Sequence, residues 1–329
     1  MTTLRTTAAA LGALAGVGAL AVAYGSGIER HLFTLREFTL PVLPRGSGDV
    51  RVLQLADIHL VPGQARKIAW IRDLARLEPD LVVNTGDNLS HHDAVGPVLD
   101  AMAPLTARPG VFVLGSNDVY APTFRNPAAY LRRDYAKASS HRPRLPTADL
   151  VRGLCDAGWT DLDNARTLLS VAGSRLELVG VDDPHIGRDR YDLVAGPRSA
   201  AADLTVGVVH APYQRILDAM TADGAGLVIA GHTHGSQVAM PFFGALVTNC
   251  DLDRGRAKGV SRWWPGAGLG VEPHGIDRLL PAGVARPSSE APEDAAWLHV
   301  SAGLGTSRMA PIRIACRPEA SLLTLTARA

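Results

Sequence analysis

Cysteine is nearly absent. The 329 residues hold three, Cys155, Cys250 and Cys316. They are odd in number, far apart and without a CxxC pair, which excludes a disulfide framework and a zinc ribbon. They read as buried small apolar residues. An excess of one charge is missing as well. Thirty-three Lys and Arg against 32 Asp and Glu leave a formal net charge of +1, too little for a global field that would attract nucleic acid. No nucleic-acid partner is expected. The chain start also lacks a twin-arginine pair and a lipobox cysteine.

What is present begins with one long uncharged run. Thr6 to Ile28 contain no charge, and Leu11 to Ala23 are almost wholly Ala, Leu, Val and Gly. The run reaches the roughly 20 residues a bilayer span requires. Residues 1–28 are therefore expected to form a transmembrane or signal segment. Arg5 gives a short positive start that favours a cytoplasmic N-terminus. A single-pass anchor at the cell membrane, with the rest of the chain outside the cytoplasm, follows from that. Ala21-Val22-Ala23 would pass as a signal-peptidase site, so secretion after cleavage near Ala23 is the alternative. Residues 29–48, turn-rich from Leu40 to Gly48, read as a linker. Residues 49–329 then form one domain, about 280 residues being within the single-domain range.

Short β-branched or aliphatic runs punctuate that domain: VRVLQLA, LVVNT, VFVL, TVGVV and LVIA. Such runs read as buried strands. Between the first two, a helix is expected over Gln64 to Leu77, with Ile68, Ile71, Leu74 and Ala75 inward and Arg66, Lys67, Arg72 and Arg76 outward. A βαβ unit results, followed by a second crossover from about Ala94 to GVFVLG. RTLLSVAGSRLELVGV reads as a hairpin turning at Gly173, and short strands are expected near Val300, Ile314 and Leu323. Alternating strands and helices, then hairpins, predict an α/β fold of two mixed sheets packed face to face with helices outside.

Seven ligand-type side chains lie just after these strands: Asp57 and His59 in LADIH, Asp87 in TGDN, Asn117 in GSND, His210 in VVHAP, His232 and His234 in GHTHG. Open α/β sheets place ligand sites at the C-terminal ends of strands. Singly, several are ordinary; Asp57-x-His59 is a common strand-to-loop pair, and His210 before Ala-Pro could start a helix. Two imidazoles two residues apart at a strand exit are costly to bury without partners. Together they predict a centre for two divalent cations, which clamp phosphate oxygens at a separation of about 3.5–4 Å and activate water. Asp87 suits a bridging carboxylate. Asp57 and His59 complete one ion, Asn117, His210 and His232 the second, and His234 reaches back to the first. Mixed imidazole and carboxylate ligands favour Mn, Fe or Zn. Asp182 and Asp183 in GVDDP read as turn caps.

The order D-x-H, G-D-N, G-[NS]-[HN]-D, H-x-P and G-H-T-H resembles the calcineurin-like metallophosphoesterase superfamily over nearly all of the chain from about Val50. GHTHGSQV and GLGTSRMAPIR are similar to its bacterial branch with an N-terminal membrane segment. The resemblance implies a four-layer sandwich of two mixed β-sheets flanked by helices. It also implies a hydrolase in which metal-activated hydroxide attacks a phosphomonoester, phosphodiester or pyrophosphate, lipid-linked substrates and a membrane partner included. The third motif departs from the family's G-N-H-[DE]. Aligned without gaps, Ser116 falls at the metal-ligand position and Asn117 at the histidine; a one-residue shift makes Asn117 the ligand, the better donor of the two. The usual histidine is absent either way. His91 and His92, just after the GDN turn, are the candidates to replace it as catalytic residues, against a reading as solvated loop residues. A catalytically weakened metal-binding scaffold is the alternative function.

Two stretches are expected to set specificity. Phe124 to Arg144 interleaves six Lys or Arg with Phe124, Tyr130 and Tyr135, suited to a phosphate-bearing substrate or anionic headgroups, or else a solvated helix. Asp253 to Asp294 is rich in Gly and Pro around Trp263-Trp264, an indole pair for a membrane interface or for a core edge.

Overall fold

The computed structural model describes residues 2–123, 142–240, 243–268 and 286–329, with residues 2–11, 13 and 14 described by their backbone. Two six-stranded sheets organise them. Strands β1 (Thr34–Leu43), β2 (Val50–Leu55), β3 (Leu81–Asn84), β4 (Gly110–Phe112) and β5 (Thr160–Asp161), with the C-terminal β14 (Glu319–Ala327), form the first in the order β1-β14-β2-β3-β4-β5. The second runs β12-β13-β9-β8-β7-β6, from β6 (Ala165–Val171), β7 (Ser174–Gly180), β8 (Leu204–Val209), β9 (Leu227–Ala230), β12 (Gly259–Trp263) and β13 (Ala296–Val300). Both are mixed. β14 pairs antiparallel with β2 in one, and β6 and β12 are antiparallel edges in the other. A two-stranded ribbon, β10 (Ala239–Met240) with β11 (Gly244–Ala245), stands apart.

The period-two alternation of each strand separates the layers. Val50 and Val52 of β2, Leu81 and Val83 of β3, Val206 and Val208 of β8, and Leu227 and Ile229 of β9 meet in one buried cluster between the sheets. The intervening residues point the other way. Leu53, Leu55, Val82 and Phe112 pack against α2 (Ala65–Asp73), α3 (Val95–Met102) and α5 (Thr147–Asp156), while Val209, Val228 and Ala230 pack against α6 (Gln214–Ala222). Helices, sheet, sheet and helix make the expected four layers. One polar tie crosses the middle: Gln54 of β2 donates to Ala230 O at 2.8 Å and lies 2.6 Å from His299 Nδ1 on β13. Because Gln54 is three residues before Asp57, this tie fixes the two sheets against each other directly beneath the ligand-bearing ends.

The hairpin turns at Ala172-Gly173, both with positive φ, as the I′ geometry of a two-residue turn demands. Several expectations need correction. Residues 34–43, expected within a linker, form edge strand β1 in parallel register with β14, and Pro41 is tolerated because β1 is an edge. Ile314 makes one isolated bridge with Val238 rather than a strand. Lys67 is buried, not on the outer face of α2. Cys155 is exposed, whereas Cys250 and Cys316 are buried. Trp263 and Trp264 belong to the core against α6, where Trp263 Nε1 donates to Asp218. Residues 124–141 and 269–285 of the two specificity stretches lie outside the described residues.

The N-terminus forms α1 (Thr2–Gly27), a 26-residue helix. Among the described residues, no helix is long and apolar enough to cross a membrane. The transmembrane or signal helix expected ahead of the sandwich is thus not shown. Val17, Leu20, Val22 and Tyr24 of α1 are exposed, and so is Ile28 after it. Its end is docked: Arg313 N donates to Gly25 O at 3.2 Å, and a Cβ at Gly25 would stand 2.9 Å from the Ile312 and Ile314 side chains. Two residues past the helix, buried Glu29 accepts from Cys316 N at 2.8 Å.

Candidate metal centre

All seven predicted ligand positions converge at one end of the sandwich. Asp57 and His59 follow β2, Asp87 follows β3, and His210, His232 and His234 follow β8 and β9. Asn117 arrives after β4 in α4 (Ser116–Val119). The backbone is strained to aim them. Asp57, His59, Asp87, His232 and His234 all have φ between +45 and +70°, a region that costs a non-glycine residue of order 1–3 kcal/mol. Five such residues in one cluster mark a functional constraint.

Hydrogen bonds over-determine these turns. The buried Asp118 carboxylate accepts from the backbone N–H groups of Asp87, Asn88, Leu89 and Gly115 at 2.7–3.2 Å. Gly115 has no room for a side chain, since a Cβ would strike Asp87 Oδ1 and lie 2.7 Å from His210 Cε1. On the other side, Lys67 Nζ donates to Ile58 O at 2.8 Å, between Asp57 and His59. Burial, then Arg313 and Arg30, bring the pKa of that ammonium down to about 7. Arg313, wholly buried, donates to the carbonyls of Ala302, Gly303, Gly305 and Cys316. The loop it holds donates from Leu304 N and Gly305 N to Ala56 O and Asp57 O. Lys67 had no motif to announce it, and Arg313 closes the GLGTSRMAPIR segment, which carried no role for it.

The side chains fall into two groups that share Asp87. Its Oδ2 lies 3.4 Å from His59 Nε2, and its Oδ1 lies 3.6 Å from His210 Nε2. Asp57, His59, Asp87 and His234 each offer a ligand atom within 4.8 Å of the others, a group able to hold a cation. On the opposite side, His210 Nε2 and His232 Nδ1 face each other at 3.3 Å. The remaining ring nitrogens are held from behind: His59 Nδ1 by Ser90 Oγ at 3.0 Å, His210 Nδ1 by Thr85 O at 2.8 Å, and His232 Nε2 by Asn249 O at 3.2 Å. Bonds of this kind orient imidazoles for ligation. Asn117 meets Asp87 twice, through backbone N to Oδ1 and side-chain Nδ2 to Oδ2, both at 2.7 Å. The Ser116 hydroxyl lies 3.4 Å from that same Nδ2.

Electrostatics fit a cation. Burial brings the pKa of His59 down to about 4 and those of His232 and His234 well below the ordinary imidazole value, so all three keep a lone pair at neutral pH. For Asp87, burial acts upward, but His210, His59 and the Asn117 hydrogen bonds outweigh it and hold the carboxyl below the usual range. Burial raises Asp57. His210 shows the reverse balance: burial would lower it, yet Asp87, Asp183 and Asp57 raise it to about 9. This concentration of buried negative charge calls for a positive partner. Among the described residues, His234 Nδ1 is buried without a hydrogen-bond partner. The donor set therefore suits a metal ion.

The centre opens into a cavity of about 350 Å³. His91 and His92 do not line it; both turn to Asp93, so the structure does not bring them to the cluster. Asp182 and Asp183 cap the turn after β7, accepting from Asp183 N and His185 N. The histidine that does line the cavity is His185, its ring centroid 4.5 Å from that of His232. Its signal in the sequence was weaker than that of His210: it stands five residues past the run LELVG, behind the turn Asp182-Asp183-Pro184, whereas His210 follows its strand directly. From the basic stretch, Arg142 lines the cavity too.

A sequence profile of calcineurin-like phosphoesterases matches residues 50–236, from β2 to just past His234. The chain belongs to that family. As a calcineurin-like phosphoesterase it is a hydrolase acting on phosphoester bonds. It is 26% identical over 337 aligned positions to the uncharacterized metallophosphoesterase YkuE of Bacillus subtilis (strain 168), across 95% of this chain and 94% of that protein. It is 25% identical over 214 positions to a transmembrane protein with metallophosphoesterase domain from Bos taurus, covering 60% of this chain and 43% of that one. Among solved structures, TT1561 of Thermus thermophilus aligns over 78% of this chain and 91% of its own, with a TM-score of 0.38 and 11% identity.

The geometry at the third motif predicts that Asn117→Ala weakens metal binding more than Ser116→Ala, because the Asn117 side chain reaches Asp87 and the Ser116 hydroxyl meets only Asn117. Metal content after dialysis, measured by elemental analysis, checks this. A larger loss in Ser116→Ala would assign the ligand to the hydroxyl.

Proposed function

We propose that the chain is a two-metal phosphoester hydrolase tethered at a membrane. The observation that carries the two-ion reading is the position of Asp87, whose two carboxylate oxygens face His59 and His210 on opposite sides. Asp57, His59 and His234 would hold one ion with Asp87; Asn117, His210 and His232 would hold the other. When bound, two such cations supply Lewis-acid charge and lower the pKa of water enough for hydroxide attack on phosphorus near neutral pH. The protein's part is to keep three imidazoles neutral by burial and to hold every ligand in place by the backbone contacts of Asp118, Lys67 and Arg313.

The membrane reading rests on α1. Its exposed Val17, Leu20 and Val22 need a cover, and the 23 residues from Thr6 to Ile28 carry no charge. The bovine relative, a transmembrane protein with metallophosphoesterase domain, points the same way. Arg5 favours a catalytic domain outside the cytoplasm; release after cleavage near Ala23 is the competing outcome. The substrate reading is a phosphomonoester, phosphodiester or pyrophosphate with an apolar portion. Val238, Val247, Met309 and Ile312 line the cavity, and Ile312 also lies against Gly25 at the end of α1.

Two experiments test this. With Mn the full chain should hydrolyse bis-p-nitrophenyl phosphate, and Asp87→Asn should lose one metal and nearly all turnover while remaining folded. An Asp87→Asn variant with two metals per chain and wild-type rate would sink the bridging assignment. Removing residues 1–23, which leaves Gly25 and Glu29 in place, should release the chain from membrane vesicles while preserving turnover of the chromogenic ester. Full-length chain recovered free in the medium, trimmed after Ala23, would contradict the tether.

A further inference from the structure

We propose that Arg142 and His185 form a clamp for the phosphoryl oxygens of the substrate, supplied by two loops outside the seven-ligand pattern. This rests on the phosphoesterase reading and names the groups that meet the substrate's charge.

Both residues line the cavity that contains Asp87, Asn117 and His232. Arg142 is fixed from three directions. Its Nε donates to Ala121 O at 3.1 Å, its Nη2 donates to Tyr120 O and to Asn117 Oδ1 at 3.2 Å each, and the guanidinium stands 5.5 Å over the Tyr120 ring. A planar, permanently charged fork suits phosphoryl oxygens better than a flexible ammonium does. Its contact with Asn117, which in turn touches Asp87, places it one side chain from the bridging position.

His185 is fixed as firmly. Asp183 Oδ1 accepts from its backbone N at 2.8 Å, and Tyr213 Oη lies 3.1 Å from Nδ1. With Nδ1 engaged by the Tyr213 hydroxyl, Nε2 is the ring nitrogen left to meet a phosphoryl oxygen. Its tilted contact with His232, 4.5 Å between ring centroids, sets it beside the Asp87–His210–His232 group, the same half of the centre that Asn117 and Arg142 border.

The cavity is therefore asymmetric. Arg142 and His185 make a hydrogen-bond-donating end, and Val238, Met309 and Ile312 make an apolar wall. A phosphoester with one apolar group would orient with its unesterified oxygens at the clamp and that group along the wall. His185 would thereby occupy the substrate-facing role that neither His91 nor His92 is placed to fill.

The test uses the metal-loaded full chain and inorganic phosphate as the probe. Phosphate affinity is measured by calorimetry, alongside kcat and KM for bis-p-nitrophenyl phosphate and metal content. Arg142→Ala and His185→Ala should each weaken phosphate binding roughly tenfold or more, as expected for a lost hydrogen bond to a charged group, with metal content unchanged. Arg142→Lys should recover part of the affinity, and Tyr213→Phe should reproduce part of the His185→Ala loss. Arg142→Gln and His185→Gln carry the same expectation and serve wherever an alanine variant fails to fold. Unchanged phosphate affinity in a folded variant removes that residue from the clamp, and loss of metal from a His185 variant makes it an ion ligand instead. Wild-type turnover and phosphate binding with unaffected variants overturns the clamp alone. A wild-type chain that neither binds phosphate nor hydrolyses the ester overturns the phosphoesterase reading with it.

Discussion

The carboxylate of Asp87 is where the two groups of side chains meet, and the contacts around it hold it there. It sits in a left-handed turn at the exit of β3, with Asn117 donating to both of its oxygens and a histidine facing each. Asp118 fixes the same turn by collecting the backbone donors on both sides of it. Because Gly115 admits no Cβ between Asp87 and His210, the third motif closes onto the first sheet at van der Waals distance. Strain at Asp57, His59, Asp87, His232 and His234 persists only where such contacts over-determine the backbone.

The two sheets contribute one side of the centre each. β2 and β3 bring Asp57, His59 and Asp87; β8 and β9 bring His210, His232 and His234. Neither half is a site without the other. The buried apolar cluster between the sheets and the Gln54 tie to Ala230 and His299 hold them in register. Behind them the 302–316 loop, clamped by Arg313, joins the Asp57 turn to Glu29 and Gly25 at the end of α1. The N-terminal helix is thus coupled to the metal centre through one loop rather than through a free linker.

Strand positions, the hairpin at Gly173, the four layers and the convergence of the seven side chains were legible because each rests on local pattern: aliphatic runs of period two, turn glycines and polar residues at strand exits. What stayed hidden depends on long-range contact. Edge strand β1 reads as a linker because Pro41 and its flanking turn residues describe an edge as well as a loop, and its partner β14 lies at the far end of the chain. Lys67 has a surface residue's character and a buried residue's job, decided by the carbonyl of Ile58. His91 and His92 are near Asp87 in sequence yet turn to Asp93. His185 is far from Asp87 in sequence and reaches the cavity only because β7 pairs with β8. Strand adjacency, not nearness in sequence, decides which histidine borders the cavity.

The account stands on two cations sharing Asp87. Anomalous diffraction from crystals grown with Mn measures this directly. It should show two peaks about 3.5–4 Å apart, one bordered by Asp57, His59 and His234, the other by Asn117, His210 and His232, with Asp87 between them. A single peak, or a pair not bridged by Asp87, would contradict it.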